Sequence, residues 1–141
     1  MDLSKIENVQ GSPEKSVKVE NGNRYDLEER TASFAIGGRD FCLKLPKSPA
    51  NVEYMGQLIR AGSSPGANYI EANEAIGDKD FKMKIKTCRR ESKESGYWLR
   101  MIITDGSKGS EEERDRLRQE AKELVLIFSA ILKKREFNFP D

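Results

Sequence analysis

Apolar and small residues recur at alternating spacings of three and four along four stretches of the chain, and this spacing places them on one face of an α-helix. In the first stretch the positions are Leu27, Thr31, Phe34, Gly38, Phe41 and Leu45. Asp26 precedes this face and is followed three residues later by Glu29, which resembles a capping box. Pro46 is expected to end the helix, because the residue before a proline avoids the helical conformation.

The second stretch carries two adjacent stripes. We expect Ser48 to cap it and Pro49 to occupy the first helical position. One stripe is Val52, Met55, Ile59, Gly62, Gly66, Tyr69, Asn73 and Ile76, and the other is Leu58, Ala61, Pro65, Asn68, Ala72 and Ala75. Both keep their spacing through Gly62-Ser63-Ser64-Pro65-Gly66, and a loop would have no reason to preserve that register. We therefore predict that this pentapeptide is a kink inside one helix.

The third helix is predicted from Asp78, acting as its cap, to Thr104. Its core positions are Phe81, Ile85, Cys88, Ser92, Ser95, Leu99 and Ile102. If the second and third helices are antiparallel, the small residues of Cys88–Ser95 lie opposite those of Ala61–Gly66. We predict this pairing, because small side chains allow two helix backbones to approach closely.

The fourth helix is predicted to begin at Ser110, which forms a capping box with Glu113, and to end near Lys133-Lys134-Arg135. Its inner face is Leu117, Ala121, Leu124, Phe128 and Ile131, and Val125, Ile127 and Leu132 widen that face beyond what one bundle needs. No stretch alternates as a β-strand does. The predicted fold is all-α, an antiparallel up-down-up-down four-helix bundle.

The chain is long enough for one domain, with 141 residues. We expect a disordered tail at residues 1–24, the bundle at 25–136 and a short tail at 137–141. The first residues are too polar for a signal peptide, and no apolar run is long enough to span a membrane. Cys42 and Cys88 have no disulfide-rich spacing and are expected to be reduced core thiols. These features together favour a cytoplasmic protein.

The pentapeptide also matches the G-x-S-x-G pattern of a hydrolase nucleophile. The chain has no histidine, however, so it cannot form a Ser-His-Asp triad. The same absence removes zinc sites of the Cys/His type. A Ser-Lys dyad stays formally open, and Ser63 and Glu71 are the only enzymatic candidates. We expect no catalytic site, no metal, no cofactor and no small-molecule substrate.

Basic residues form a stripe beside the core face of the third helix. Between positions 78 and 100 there are eight basic and four acidic residues, although the whole chain carries a net charge of only +1. Such a stripe is suited to phosphate contacts, and the alternative is a solvated face that keeps the protein soluble. Tyr97 and Trp98 would stack on bases in the first case, or fill a core or subunit interface in the second. The candidate nucleic-acid-binding residues are Lys79, Lys82, Lys86, Arg89, Arg90, Lys93 and Arg100.

Three segments resemble a known family: YDLEERTASFA, LPKSPANVEYMGQLIRAGSSPGANYIEANEA and DFKMKIKTCRRESKESGYWLRMI. Together they are similar to the bacterial four-helix-bundle proteins of the ribosomal RNA intervening-sequence family, over about Tyr25 to Lys134. The resemblance implies a small cytoplasmic bundle without catalytic activity, typically a ring-shaped homopentamer. Related bundles are accessory proteins of retroelement reverse transcriptases, in which a basic surface contacts RNA and the enzyme. Gly37-Gly38 departs from the family pattern in the first helix.

The favoured function is therefore a self-associating bundle whose basic third helix binds RNA or a ribonucleoprotein partner. The alternative is a protein–protein scaffold or accessory subunit with no nucleic-acid affinity of its own.

Overall fold

The structure, a computed structural model, describes residues 24–138, and the side chains of residues 27–136. These residues form four α-helices and no strand: α1 (Arg24–Leu43), α2 (Pro49–Asn73), α3 (Asp78–Met101) and α4 (Lys108–Asn138). The predicted all-α four-helix bundle is confirmed. The tails predicted at 1–24 and 137–141 lie outside the described residues, except for the first residue of α1 and the end of α4.

Contacts divide the chain into two units, Met1–Ser33 and Phe34–Asp141. The described part of the first unit is the start of α1, where the Thr31 hydroxyl donates a hydrogen bond to the Leu27 carbonyl oxygen at 2.9 Å. The second unit holds the rest of α1 and the whole of α2, α3 and α4.

Within the second unit, the end of α1 packs antiparallel to α4. Lys44 pairs with Glu113 at 2.8 Å, and a β-carbon on Gly37 would lie 3.2 Å from Leu117 Cδ2. That distance is tighter than ordinary contact, so the glycine allows the two helices to come together at this point. Gly37 therefore has a packing role.

The predicted pairing of α2 with α3 is confirmed. The Cys88 thiol donates a hydrogen bond to the Pro65 carbonyl oxygen at 3.3 Å, and a β-carbon on Gly62 would lie 4.0 Å from Ser95 Oγ. Residues 62–66 lie inside α2, as the unbroken register predicted. Pro65 is tolerated there although it has no N–H to give to the preceding turn. Its ring is fully buried against the bundle, and that burial offsets the missing helical bond.

One polar side chain, Asn51, joins the start of α2 to the end of α3. It is fully buried and donates through Nδ2 to the carbonyl oxygens of Pro46 (2.9 Å) and Ile103 (2.7 Å). Its Oδ1 accepts the N–H of Ile103 at 2.9 Å. The predicted end of the third helix, Thr104, is wrong, because α3 ends at Met101. Ile102 has an extended conformation, and the N–H of Ile103 bonds to Asn51 instead of to a carbonyl oxygen of the helix.

Three predicted helix starts need correction. α1 begins at Arg24, before the expected cap Asp26. α3 is preceded by Gly77 at φ 88°, a backbone conformation that favours glycine, so Asp78 is the first helical residue and not the cap. α4 begins at Lys108 because the N–H of Ser110 bonds to the Ser107 hydroxyl at 3.2 Å, which makes Ser107 the capping side chain.

Candidate nucleic-acid interface

The seven predicted basic residues lie along one side of α3, since the helix turns about 100° per residue and their spacing keeps them within roughly a third of a turn. Five of them are exposed, and Lys82 and Arg89 are half-buried. The exposed five are Lys79, Lys86, Arg90, Lys93 and Arg100. The core positions Ile85, Cys88 and Leu99 lie on the inner side of the same helix and are fully buried.

Two of the seven charges are partly neutralised by carboxylates. Lys82 Nζ lies 3.0 Å from Asp78, and its side chain is only 16% exposed. Arg90 lies 3.3 Å from Glu91. Asp78 also pairs with Arg135 of α4 at 2.9 Å, so the Lys82 end of the stripe belongs to a contact between helices. Among the described residues, the remaining five form no ion pair: Lys79, Lys86, Arg89, Lys93 and Arg100.

Like charges follow one another at helical spacing along this side of α3. Lys82 and Lys86, Lys86 and Arg90, and Arg89 and Lys93 are each four residues apart. Such pairs destabilise a helix by about 0.2–0.5 kcal/mol each. The arrangement opposes the stability of α3, and departures of this kind from a stabilising pattern are expected at functional surfaces.

The C-terminal half of this stripe borders a groove between α3 and α4 with a volume of about 610 Å³. At its floor a β-carbon on Gly96 would lie 3.8 Å from that of Ala121, so the two helices approach closely there. Its lining residues are Ser92, Lys93, Gly96, Tyr97, Arg100, Arg118, Ala121, Lys122, Val125 and Leu126. The structure therefore joins Lys93 and Arg100 to a second basic pair on α4, Arg118 and Lys122.

This groove combines an apolar floor with a positive rim. Four of its lining residues are basic and none is acidic. Within residues 27–136, no carboxylate pairs with any of these four cations. Tyr97 and Leu126 are 52% and 58% exposed, so apolar surface is open to solvent between the charges. Such a groove favours a ligand that has both an apolar part and negative charge.

Arg118 and Lys122 were not among the residues predicted from the sequence. The two are four residues apart and flank Ala121 on the sequence, which places them together on one side of α4. This four-residue spacing was the one feature of the sequence that could have indicated the pair. Their approach to α3 depends on the register between the helices, which the pattern of α4 alone does not define.

The two neighbouring aromatic residues have different environments. Trp98 is half-buried and packs toward α2, with its ring 6.1 Å from that of Tyr54. Tyr97 lies edge-on to Trp98 at 5.0 Å and faces the groove. Tyr97 is therefore the residue available for stacking, whereas Trp98 serves the packing of α3 on α2.

The enzymatic candidates are engaged in ordinary structural bonds. The Ser63 hydroxyl donates to the Ile59 carbonyl oxygen at 2.8 Å, a bond within one helix. Glu71 pairs with Lys84 at 2.8 Å, which ties α2 to α3. Ser64 Oγ accepts a hydrogen bond from Asn68 at 2.9 Å.

Burial raises the pKa of Cys42 to about 11 and that of Cys88 to about 12, which keeps both thiols protonated at neutral pH. Both cysteines are free, as predicted. No group of side chains in the described part of the chain is suited to hold a metal ion. Over the same residues, each helix is too short or too polar to cross a membrane.

The fold of the chain is similar to that of a solved structure. No protein-family profile matches the chain, and no curated protein matches it. Among solved structures, the chain is similar to a crystal structure of a protein of unknown function from the S23 ribosomal protein family of Bacteroides thetaiotaomicron. The two share 24% identity, with a TM-score of 0.63, over 76% of this chain and 98% of that one. At this identity the likeness shows the fold, and the membership in the intervening-sequence family stays a prediction.

Proposed function

We propose that this protein is a non-enzymatic, self-associating helical bundle that binds RNA, alone or within a ribonucleoprotein, through the basic side of α3. The observation that carries the proposal is the row of cations without carboxylate partners among the described residues, which continues from α3 onto α4. These residues are Lys79, Lys86, Arg89, Lys93, Arg100, Arg118 and Lys122.

The row is suited to a phosphate backbone. Lysine and arginine that are not neutralised within the protein gain the most when they displace counterions from a polyanion. The net charge of +1 provides no attraction over the whole chain, so the binding energy must come from this local surface. The name of the structural neighbour's family, S23 ribosomal protein, and the sequence resemblance to the ribosomal RNA intervening-sequence family both favour RNA as the polyanion.

Self-association is supported by a second surface. Val52, Ile59 and Ile70 lie in one line along α2 and are 53%, 46% and 54% exposed. Exposed apolar residues aligned in this way are typical of an interface between proteins. We propose a second copy of the chain as the partner, and the sequence resemblance favours a ring of five. Repetition of the basic side in such a ring would add weak single contacts together.

A scaffold without nucleic-acid affinity is the alternative, and the same line of apolar residues on α2 favours it. In that case the basic side of α3 would be a solvated face, and α2 would bind another protein. RNA binding by the purified protein separates the two functions.

The test compares RNA affinity at several salt concentrations for the wild type and a variant with Lys86, Arg89, Lys93 and Arg100 replaced by glutamine. We expect log affinity to fall by roughly 0.7–0.9 per phosphate contact for each tenfold rise in salt. The variant should bind more weakly and have a shallower slope. The matched control replaces four exposed basic residues elsewhere, Lys47, Arg60, Arg116 and Lys134, and should keep the wild-type slope. If the wild type has no affinity for RNA even at low salt, RNA binding is contradicted and the scaffold becomes the favoured function.

Light scattering tests the assembly. We expect a mass near five times the 16.0 kDa of one chain at micromolar concentration. Ile59→Glu should reduce it, because a charge would enter the proposed interface, whereas Leu43→Glu, an exposed position on α1, should leave it unchanged. A dispersed monomer of the wild type would contradict self-association.

A further inference from the structure

The groove between α3 and α4 differs from the rest of the basic side because it has a floor that phosphate cannot use. Gly96, Ala121 and Val125 contribute small or apolar surface, and Leu126 leaves more than half of its side chain in solvent. A ligand with phosphate groups alone would leave the apolar surface of the groove exposed to solvent. The occupant must therefore place an apolar or aromatic group in the groove.

The positive groups stand on both sides of that floor. Lys93 and Arg100 come from α3, and Arg118 and Lys122 come from α4. An occupant that satisfies all four presents negative charge on either side of its apolar group. In a nucleic-acid strand every internal base is flanked by a phosphate on its 5′ side and another on its 3′ side, which is this arrangement.

Tyr97 supplies the aromatic surface on which a base would rest. It lines the groove and is 52% exposed. Trp98 lies edge-on to the Tyr97 ring, so the Tyr97 ring is supported from one side. Stacking of bases on aromatic side chains beside a positive groove is the usual way in which proteins bind single strands. A paired base is stacked within its own duplex and is not free to enter the groove.

We infer that the α3–α4 groove holds an unpaired base of an RNA strand, with the base against Tyr97 and its two flanking phosphates on the basic rim. This inference rests on the proposed RNA binding and adds a preference to it. The protein binds single-stranded or looped RNA more tightly than fully paired RNA, whereas the charged stripe alone would bind both.

The experiment measures the affinity of the full chain for a 12-nucleotide single-stranded RNA and for the same sequence paired with its complement, at one salt concentration. We expect the single strand to bind at least about five-fold more tightly, the lower limit of one stacked base. Tyr97→Ala should remove this preference and leave the duplex affinity unchanged. Tyr97→Phe keeps the ring and should retain the preference.

A second variant tests whether RNA enters the groove without changing the aromatic ring. Leu126→Glu puts a negative charge at an exposed position in the groove and should weaken single-strand binding by at least about five-fold. Leu43→Glu is the control, since it makes the same change at an exposed position on α1. Light scattering should show the wild-type mass for both variants.

The outcomes separate this inference from the proposed function. Equal affinity of the wild type for single-stranded and paired RNA would overturn the inference and leave RNA binding in place. No affinity for either RNA would overturn both. A fall in mass for Leu126→Glu would assign the groove to a second copy of the chain and would also overturn the inference.

Discussion

Gly96 of α3 faces Ala121 of α4 so closely that a β-carbon on the glycine would lie 3.8 Å from that of the alanine. This contact brings the two helices together at the bottom of the groove. The long side chains of Arg100 and Arg118 rise beside it from the two helices. The small residues at the point of closest approach therefore give the groove its depth, and the basic side chains on either side give its edges a positive charge.

The 3.8 Å distance predicts that Gly96→Ala stabilises the protein. It corresponds to ordinary van der Waals contact, and glycine inside a helix is less stable than alanine by roughly 0.5–1 kcal/mol. Urea denaturation should show a gain of that size. Gly56→Ala is the control, because Gly56 is an exposed residue of α2 with nothing within 4 Å, and it should show the same gain. A loss of stability in Gly96→Ala alone would mean that α3 and α4 lie closer together than described.

A large side chain at Gly62 should have the opposite effect. Gly62 is buried, and a β-carbon there already meets Phe34, Leu58 and Ser95 at 3.9–4.0 Å. Gly62→Leu should lower the free energy of unfolding by about 1–3 kcal/mol, since the added atoms have no space between α2 and α3. Gly56→Leu, on the exposed side of the same helix, should not be destabilised. Equal stability of the two variants would contradict the described packing of α2 on α3.

Among the polar residues, Asn51 is expected to be the one whose substitution lowers the free energy of unfolding most. Asn51→Ala removes three hydrogen bonds and leaves the N–H of Ile103 without its partner. Each polar group left unpaired in a buried site costs about 1–3 kcal/mol, so thermal and urea unfolding should show a loss of at least that size. Asn68→Ala is the control, because Asn68 is half-buried and, among the described residues, its side chain bonds only to Ser64 of its own helix. A loss no greater for Asn51→Ala than for Asn68→Ala would disprove the joining role of Asn51.

Part of this fold was predictable from local pattern and part was not. The spacing of apolar residues predicted four helices, and the small residues around Gly62 and Ser95 predicted which helices meet, because each signal lies within one segment. Asn51 shows the limit: two of its three side-chain hydrogen bonds join it to Ile103, 52 residues away, and no short-range pattern indicates that partner. The start of α4 was misplaced because Ser107 and Ser110 are both good caps, and only the backbone geometry distinguishes them.

The candidate site was likewise predictable only in part. The stripe of α3 is visible in the sequence because its members follow a helical spacing. The pairing of Lys82 with Asp78, and the arrival of Arg118 and Lys122 from α4, depend on three-dimensional neighbours. The structure therefore moves the emphasis of the candidate site from the whole length of α3, as predicted, to its C-terminal half.

Burial of the two thiols predicts that stability falls at high pH. In the unfolded chain a cysteine loses its proton near pH 8.5, whereas burial raises the folded pKa of Cys42 to about 11 and of Cys88 to about 12. Between about pH 8.5 and those values the folded state binds more protons than the unfolded state. The free energy of unfolding therefore decreases as pH rises, by up to about 1.4 kcal/mol per pH unit for each thiol.

Urea denaturation at pH 8 and pH 10, under reducing conditions, measures this decrease. The matched variant is Cys42→Ala with Cys88→Ala, which keeps all other titrating groups. It will be less stable at both values, but its decrease between them should be smaller than that of the wild type. An equal decrease would show that the thiols are not protected from ionisation.

The most direct test of the central claim, that the basic side of α3 and the groove bind RNA, is lysine acetylation of the full chain with and without RNA, read residue by residue by mass spectrometry. We predict that RNA protects Lys86, Lys93 and Lys122. Lys47, in the loop before α2, and Lys134, about a third of a turn around α4 from Lys122, should react equally in both samples. Protection of Lys47 and Lys134 without protection of Lys86, Lys93 and Lys122 would contradict the account.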